Sequence, residues 1–216
     1  MTNEQNLSQL KIKDVEIRKF NPQTDAKRLT EIWVEGLSQT VDAQWWWKRE
    51  HWHKLFTEFG KQETSVEGNM GPDGANLEKF WCHDEENVQM LIAELTFQDP
   101  NTKPLLVGSI GIKRGYGRYD SSEYSKDKNE TIFSITKMSV DVNYRRYSIG
   151  GKLLSAAEEW ARQAGAKKLR AGTMNPIASR FYLKHGYEWL DWSWWDWIVF
   201  KYVGSMSGKS HEKNLE

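Results

Sequence analysis

The sequence predicts an α/β chain of the α+β kind, with a mixed, mostly antiparallel central sheet of six to seven strands flanked by about four helices. Three observations predict it. First, NVQMLIAELTF (87–97), PLLVGSIGIKR (104–114) and TIFSITKMSVDV (131–142) are successive apolar, β-rich segments, the first two joined by the turn-prone DPNTKP, so they read as an antiparallel meander. Second, the apolar period then changes from 2 to 3.6: Ile149, Leu153, Leu154, Ala157, Trp160, Ala161 and Ala164 share one helical face that stops at Gly165. Third, the short strand KKLRAGTM follows, so the meander leads into a β-α-β crossover.

The remaining elements fill in around this frame. VEIRKF (15–20) alternates as a first strand and ends at NPQTD. Residues 24–38 carry Ala26, Leu29, Ile32, Trp33 and Leu37 at helical spacing behind Thr24 and Asp25, and VDAQWWWKREHWHKLFTEF (41–59) continues as a second helix. The polar, Gly-rich stretch 60–76 reads as a loop, and 115–130 is too long and polar for a tight hairpin, so it reads as an exposed flap. A helix opened by Asn175 and Pro176 closes near Gly186, and YEWLDW (187–192) and WIVFKYV (197–203) complete the sheet. The expected organisation is a polar leader (1–13), one domain (14–203) and a flexible polar tail (204–216), with no internal repeat.

Composition limits the function classes. Lys plus Arg (30) equals Asp plus Glu (30), so no global field draws the chain to nucleic acid or an anionic membrane. No segment approaches the roughly 18 consecutive apolar residues of a membrane span. The single cysteine, Cys82, excludes an internal disulfide and a Cys-based zinc site, and the expected address is cytoplasmic, with the nucleus as the alternative. His51 and His53 stand two apart on a predicted helix and point to different faces, so no metal is expected.

The chemistry concentrates in VDVNYRRYSIGGKLL (140–154), where a strand ends, a basic turn follows and a helix begins. Unpaired N–H groups at a helix start and the helix dipole, worth about half a positive charge, make this a place for a pyrophosphate. Missing β-carbons at Gly150 and Gly151 would let phosphate oxygens approach, and Arg145, Arg146 and Lys152 would add charge. Neither the G-x-G-x-x-G nor the G-x-x-x-x-G-K-S/T nucleotide fingerprint is present. On these residues alone an ordinary solvated turn remains the alternative.

The segment resembles motif A of the GNAT N-acetyltransferase superfamily, R/Q-x-x-G-x-G/A, with Arg145, Ser148 and Gly150 in the defining positions and serine in place of the first glycine. NPIASRFYLKHGYE (175–188) resembles the superfamily's motif B, N-x-x-A-x-x-F-Y-x-x-x-G-F/Y. The resemblance implies acetyl-CoA as cosubstrate. Met138, Ser139 and Val140 would pair with the pantetheine amides, while Arg145, Arg146, Tyr147, Ser148, Ile149, Gly150 and Gly151 would cradle the pyrophosphate, with Lys152 and Asn175 counted beside them. Tyr182 would face the CoA sulfur and protonate the leaving thiolate; packing in the core is its alternative use. The implied reaction is direct transfer of an acetyl group to a primary amine in a ternary complex, the amine lying on a small molecule, protein or peptide. A strand N–H near Met138 to Val140 would stabilise the oxyanion.

A base must also take the amine proton. Some superfamily members carry a glutamate in the middle of the fourth strand, where Ile132 to Thr136 hold no carboxylate. Glu94 and Glu130 are the nearest acidic candidates, Asp196 is a third, and a water relayed by Ser134 or Thr136 is equally open. His185, just before a helix-ending glycine, reads as a cap on the C-terminal carbonyls.

Twelve tryptophans are the unusual feature, four at 45–52 and five at 189–197. By the resemblance both clusters flank the acceptor end of the groove, so Trp45, Trp46 and Trp195 are expected to wall an acceptor pocket. A homodimer or partner surface is the alternative use. Two further readings compete: a catalytically silent subunit of the same fold acting in assembly, and an aromatic-rich sugar- or peptide-binding module, which leaves motif B unexplained.

Overall fold

The computed structural model describes residues 11–42, 84, 86–115, 129–173, 176–190 and 209–215. Strand β1 (Ile12–Lys19) is followed by helix α1 (Pro22–Asp42), then by the meander β2 (Val88–Phe97), β3 (Leu105–Arg114) and β4 (Ile132–Val140). A 3-10 turn (Val142–Tyr144) leads into α2 (Ile149–Gln163), β5 (Lys168–Thr173), α3 (Pro176–Lys184), β6 (Glu188–Trp189) and β7 (Lys209–Asn214). The seven strands form one sheet in the order β1-β2-β3-β4-β5-β7-β6. Every neighbouring pair is antiparallel except β4 and β5, the crossover pair. The expected sheet class therefore holds. Three α-helices lie among the described residues; the second predicted helix falls almost wholly outside them, as do the whole predicted 60–76 loop and the 116–128 part of the predicted flap.

Strand alternation sorts the core into two faces. On β2, Leu91, Ala93, Leu95 and Phe97 point to α2 and join Ile149, Leu153, Leu154, Ala157 and Ala161. Val88, Met90 and Ile92 point the other way and join Ala26, Leu29, Ile32 and Trp33 of α1. Each fully buried Leu or Ile here contributes about 1.5–3 kcal/mol. Helix α2 stops where predicted: Gly165 takes φ 89, and the Ala166 N–H closes back on the Ala161 carbonyl at 2.8 Å. Gly186, at φ 83, ends α3 in the same way.

The C-terminus corrects the expected boundaries. The domain does not end at 203, nor is 204–216 a flexible tail throughout, because KSHEKN (209–214) is β7, inserted between β5 and β6. WIVFKYV, expected to be the last strand, lies outside the described residues, and only Glu188 and Trp189 of YEWLDW form a strand. The polarity of β7 is misleading because its charges are consumed by neighbours. Glu212 pairs with Lys168 and Arg170, and Lys213 reaches both oxygens of Glu158 on α2 at 2.9 Å. His211 and Leu215 are buried, and the Arg162 guanidinium donates to the Leu215 carbonyl. At the other end, β1 begins at Ile12, two residues inside the expected leader.

Candidate active site

The site begins where one ladder of the sheet ends. The β4–β5 ladder runs from Ile132/Lys168 to Ile135/Ala171, and β4 then continues to Val140 with no β5 partner. Among the described residues the end of β4 thus has no β5 partner, and a strand edge of this kind is a template for another extended chain.

A bulge re-aims the side chains along that edge. Between the pairs Gly111/Thr136 and Ser109/Ser139, β3 advances two residues and β4 three, and the extra residue sits where Lys137 takes φ 51. Phe133 and Ile135 face α2 before the bulge, and Met138 and Val140 face it afterwards. Lys137 is turned to the α1 face, where its ammonium lies 5.4 Å from the Trp33 ring centroid. Ser109 holds the bulge, its hydroxyl accepting from Trp33 Nε1 at 2.8 Å and donating to the Lys137 carbonyl at 2.9 Å. Gly36 lets α1 come this close, since a β-carbon there would lie 2.6 Å from Ser139 Oγ.

Beyond Val140 the turn is pinned from both sides. The Asp141 N–H donates to the Val107 carbonyl at 2.8 Å, its carboxylate accepts the Asn143 N–H at 2.9 Å, and Arg28 of α1 pairs with the same buried carboxylate. Arg145, Arg146 and Tyr147 are exposed, and Arg145 Nε donates to the Val140 carbonyl at 3.1 Å. The first bond of α2 runs from the Lys152 N–H to the Ser148 carbonyl. The N–H groups of Ile149, Gly150 and Gly151 precede it and have no acceptor within the helix. No acidic residue occupies the first turn. The Ile149 side chain is buried in the core, leaving only its backbone for the site.

The Lys152 ammonium reaches back to β1 in an exposed ion pair, 3.0 Å from Asp14 and 3.3 Å from the Val15 carbonyl. The space left by the missing β-carbons is used by α3, since a β-carbon on Gly150 would stand 3.3 Å from Phe181 and one on Gly151 3.3 Å from His185 Nε2. The side of each glycine that a β-carbon would occupy therefore abuts α3, while its N–H stays with the opening turn. The serine at 148, read as a departure from the motif, takes a left-handed conformation, φ 59 and ψ 13, and its side chain makes no cap hydrogen bond. Left-handed backbone costs a non-glycine residue roughly 1–2 kcal/mol, partly offset by the larger unfolded-state entropy of glycine. Ser148→Gly is therefore expected to stabilise the fold by about 0.5–1 kcal/mol, read as a raised denaturant midpoint at unchanged slope.

Helix α3 supplies Tyr182, which is buried with its hydroxyl donating to Met138 Sδ at 3.3 Å. Phe181, Tyr187 and His211 surround its ring at centroid distances of 5.4–5.6 Å. Burial pushes the phenol well above its ordinary pKa, so it keeps its proton throughout the neutral range. His185 caps α3 as expected, Nδ1 donating to the Phe181 carbonyl at 2.8 Å.

Two of the three acidic candidates make contacts of their own. Glu130 accepts the Ile132 N–H at 2.8 Å, at the start of β4. Met138 is six positions after Ile132, one of them the bulge, so Glu130 stands roughly 16 Å along the strand from the tyrosine. Glu94 uses both carboxylate oxygens on Arg18, at 3.0 Å each, in a cluster that also holds Asp25. Ser134 is buried and donates to the Gly115 carbonyl at 2.8 Å. Trp45, Trp46, Trp195, Asn175, Asp196, Cys82, His51 and His53 lie outside the described residues. Among the described residues no helix is long and apolar enough to cross a membrane. Reasoning from sequence missed Arg28 and Ser109, which hold the turn and the bulge; a buried Ser on an apolar strand was the one available signal for the second.

Comparison with known proteins agrees with this architecture. The family model described as "Acetyltransferase (GNAT) family" matches residues 37–187, about 70% of the chain, and the chain belongs to that family. No curated protein sequence matches it. Among solved structures it is similar to the PaiA N-acetyltransferase of Thermoplasma acidophilum in complex with coenzyme A (TM-score 0.62, 18% identity, covering 94% of this chain and 99% of that one). It is also similar to a GNAT-family acetyltransferase of Staphylococcus aureus Mu50 (TM-score 0.58, 16% identity, 94% and 100%). A third is YncA, a putative acetyltransferase of Salmonella typhimurium with its cofactor acetyl-CoA (TM-score 0.57, 15% identity, 94% and 95%). At these identities the likeness concerns the fold.

Proposed function

We propose that the protein is an N-acyltransferase that moves an acetyl group from acetyl-CoA to a primary amine by direct transfer in a ternary complex. The observation that carries this reading is one arrangement: the part of β4 beyond its β5 ladder runs from a buried tyrosine hydroxyl at its bulge to a basic turn at the head of α2. The donor sets fit an extended amide chain ending in a pyrophosphate. Backbone groups of Met138 to Val140 would hold the pantetheine amides, and the free N–H groups opening α2, with Arg145 and Arg146, would hold the phosphates.

Acetyl-CoA supplies the activated acetyl group. A β4 N–H near the bulge steadies the carbonyl oxygen as it gains charge. The amine nitrogen bonds to the carbonyl carbon, the carbon–sulfur bond breaks, and the Tyr182 proton passes to the leaving sulfur. The base takes the proton lost by the amine, and through water an equivalent proton returns to the Tyr182 phenolate, so that amine and thioester become amide and free thiol. With Glu94 and Glu130 engaged in structural contacts, the base role falls to water or to a residue outside the described segments. The coenzyme A and acetyl-CoA bound in two similar structures support the choice of donor.

Calorimetry with acetyl-CoA on the wild type and on Arg145→Glu, followed by thiol release with a mixed amine panel, tests the reading. Micromolar binding weakened at least tenfold in the variant, as expected when repulsion replaces a phosphate contact, together with amine-dependent thiol release, supports it. Folded wild type that binds no acetyl-CoA overturns it.

A further inference from the structure

Among its described surroundings, the buried hydroxyl of Tyr182 has one acceptor, the sulfur of Met138 at 3.3 Å. That is an unusual choice, because a thioether is a weak acceptor and buried hydroxyls ordinarily find oxygen. The bulge makes the contact, since without the extra residue beside Lys137 position 138 would face α1. The Met138 methyl reaches the head of α2, 3.5 Å from where a Gly150 β-carbon would stand, with Phe181 on the same spot at 3.3 Å. The sulfur thus lies between the tyrosine hydroxyl and the opening turn of α2, on the part of β4 beyond its β5 ladder.

We propose that Met138 is a positioning residue for acyl transfer: its thioether keeps the Tyr182 O–H aimed at the place where the thioester sulfur of the donor arrives, and yields that place on binding. The inference rests on the function proposed above. Thioether and thioester sulfur are both divalent, similar in size and weak as acceptors, so the hydroxyl exchanges one for the other at little cost. A carboxylate or carbonyl in the same position would hold the proton against transfer. Methionine suits the role mechanically, because its unbranched side chain swings aside without moving the backbone. No bond to Met138 is made or broken; a single hydrogen bond changes partner.

Protein labelled with carbon-13 at its methionine methyls tests this, with the Met138 signal assigned by its loss in Met138→Leu. Titration with acetyl-CoA, with binding followed in parallel by calorimetry, is expected to shift that signal along the calorimetric saturation curve. In turnover, Met138→Leu is expected to lower kcat about tenfold, with the KM for acetyl-CoA changed less than about threefold. In a Tyr182→Phe background the same substitution is expected to change kcat less than about twofold, because the hydroxyl it serves is gone. Calorimetric binding with an unmoved methyl overturns the proposal, as do equal losses in both backgrounds, which belong to packing alone. Absence of acetyl-CoA binding to the folded wild type overturns the proposed function and this role together.

Discussion

Deleting residues 209–216 is expected to leave a chain that does not fold. The deletion removes β7, which pairs with β5 over six residues, Lys168↔Asn214 to Thr173↔Lys209, and carries the short β6 on its other edge. Two buried side chains go with it, His211 and Leu215, and the Leu215 N–H no longer meets the Lys167 carbonyl. Glu158, largely buried on α2, loses the Lys213 ammonium and keeps only Arg162, 3.9 Å away, which weakens the compensation of its buried charge. Ladder bonds at about 1 kcal/mol net each and a leucine at about 2 kcal/mol add to this. The sum exceeds much of the 5–15 kcal/mol that holds an ordinary domain together. Far-UV circular dichroism and thermal unfolding decide the matter: a truncated chain with a wild-type transition would show that 209–214 is dispensable to the sheet.

The second large effect is chemical. Tyr182→Phe is expected to lower kcat by about 10²- to 10³-fold, in the range of a lost general acid. Affinity for acetyl-CoA should stay within about twofold, because phenylalanine keeps the ring contacts with Phe181, Tyr187 and His211. The fold should survive, since the hydroxyl removed has a single weak partner. Steady-state kinetics beside calorimetry separates the two quantities. A variant as active as the wild type would remove the tyrosine from the proposed chemistry and leave it a core residue.

The meander, the crossover and the motifs were legible because each rests on a local regularity: period 2 in β2, period 3.6 in α2, and glycine where a helix ends at 165 and 186. Tyr182 was singled out through the resemblance of NPIASRFYLKHGYE to motif B; its spacing alone also fitted a core aromatic. What escaped depends on residues far apart in the chain. Lys213 looks like tail until Glu158 is opposite it, 55 residues away, and Glu94 looks available until Arg18 fills both its oxygens. Lys152 sits in a basic turn, yet its ammonium makes an exposed pair with Asp14 of β1. No sequence rule shows that another helix presses on the two glycines of the turn.

The extra residue in β4 also makes chain length, and not only residue identity, part of what the gene must preserve. A substitution at Thr136 or Lys137 leaves the strand's phase intact. Loss of a single codon there would restore a regular strand, and every side chain from 138 to 140 would exchange faces at once, carrying the methionine away from Tyr182. This stretch should therefore tolerate changes of chemistry far better than changes of count.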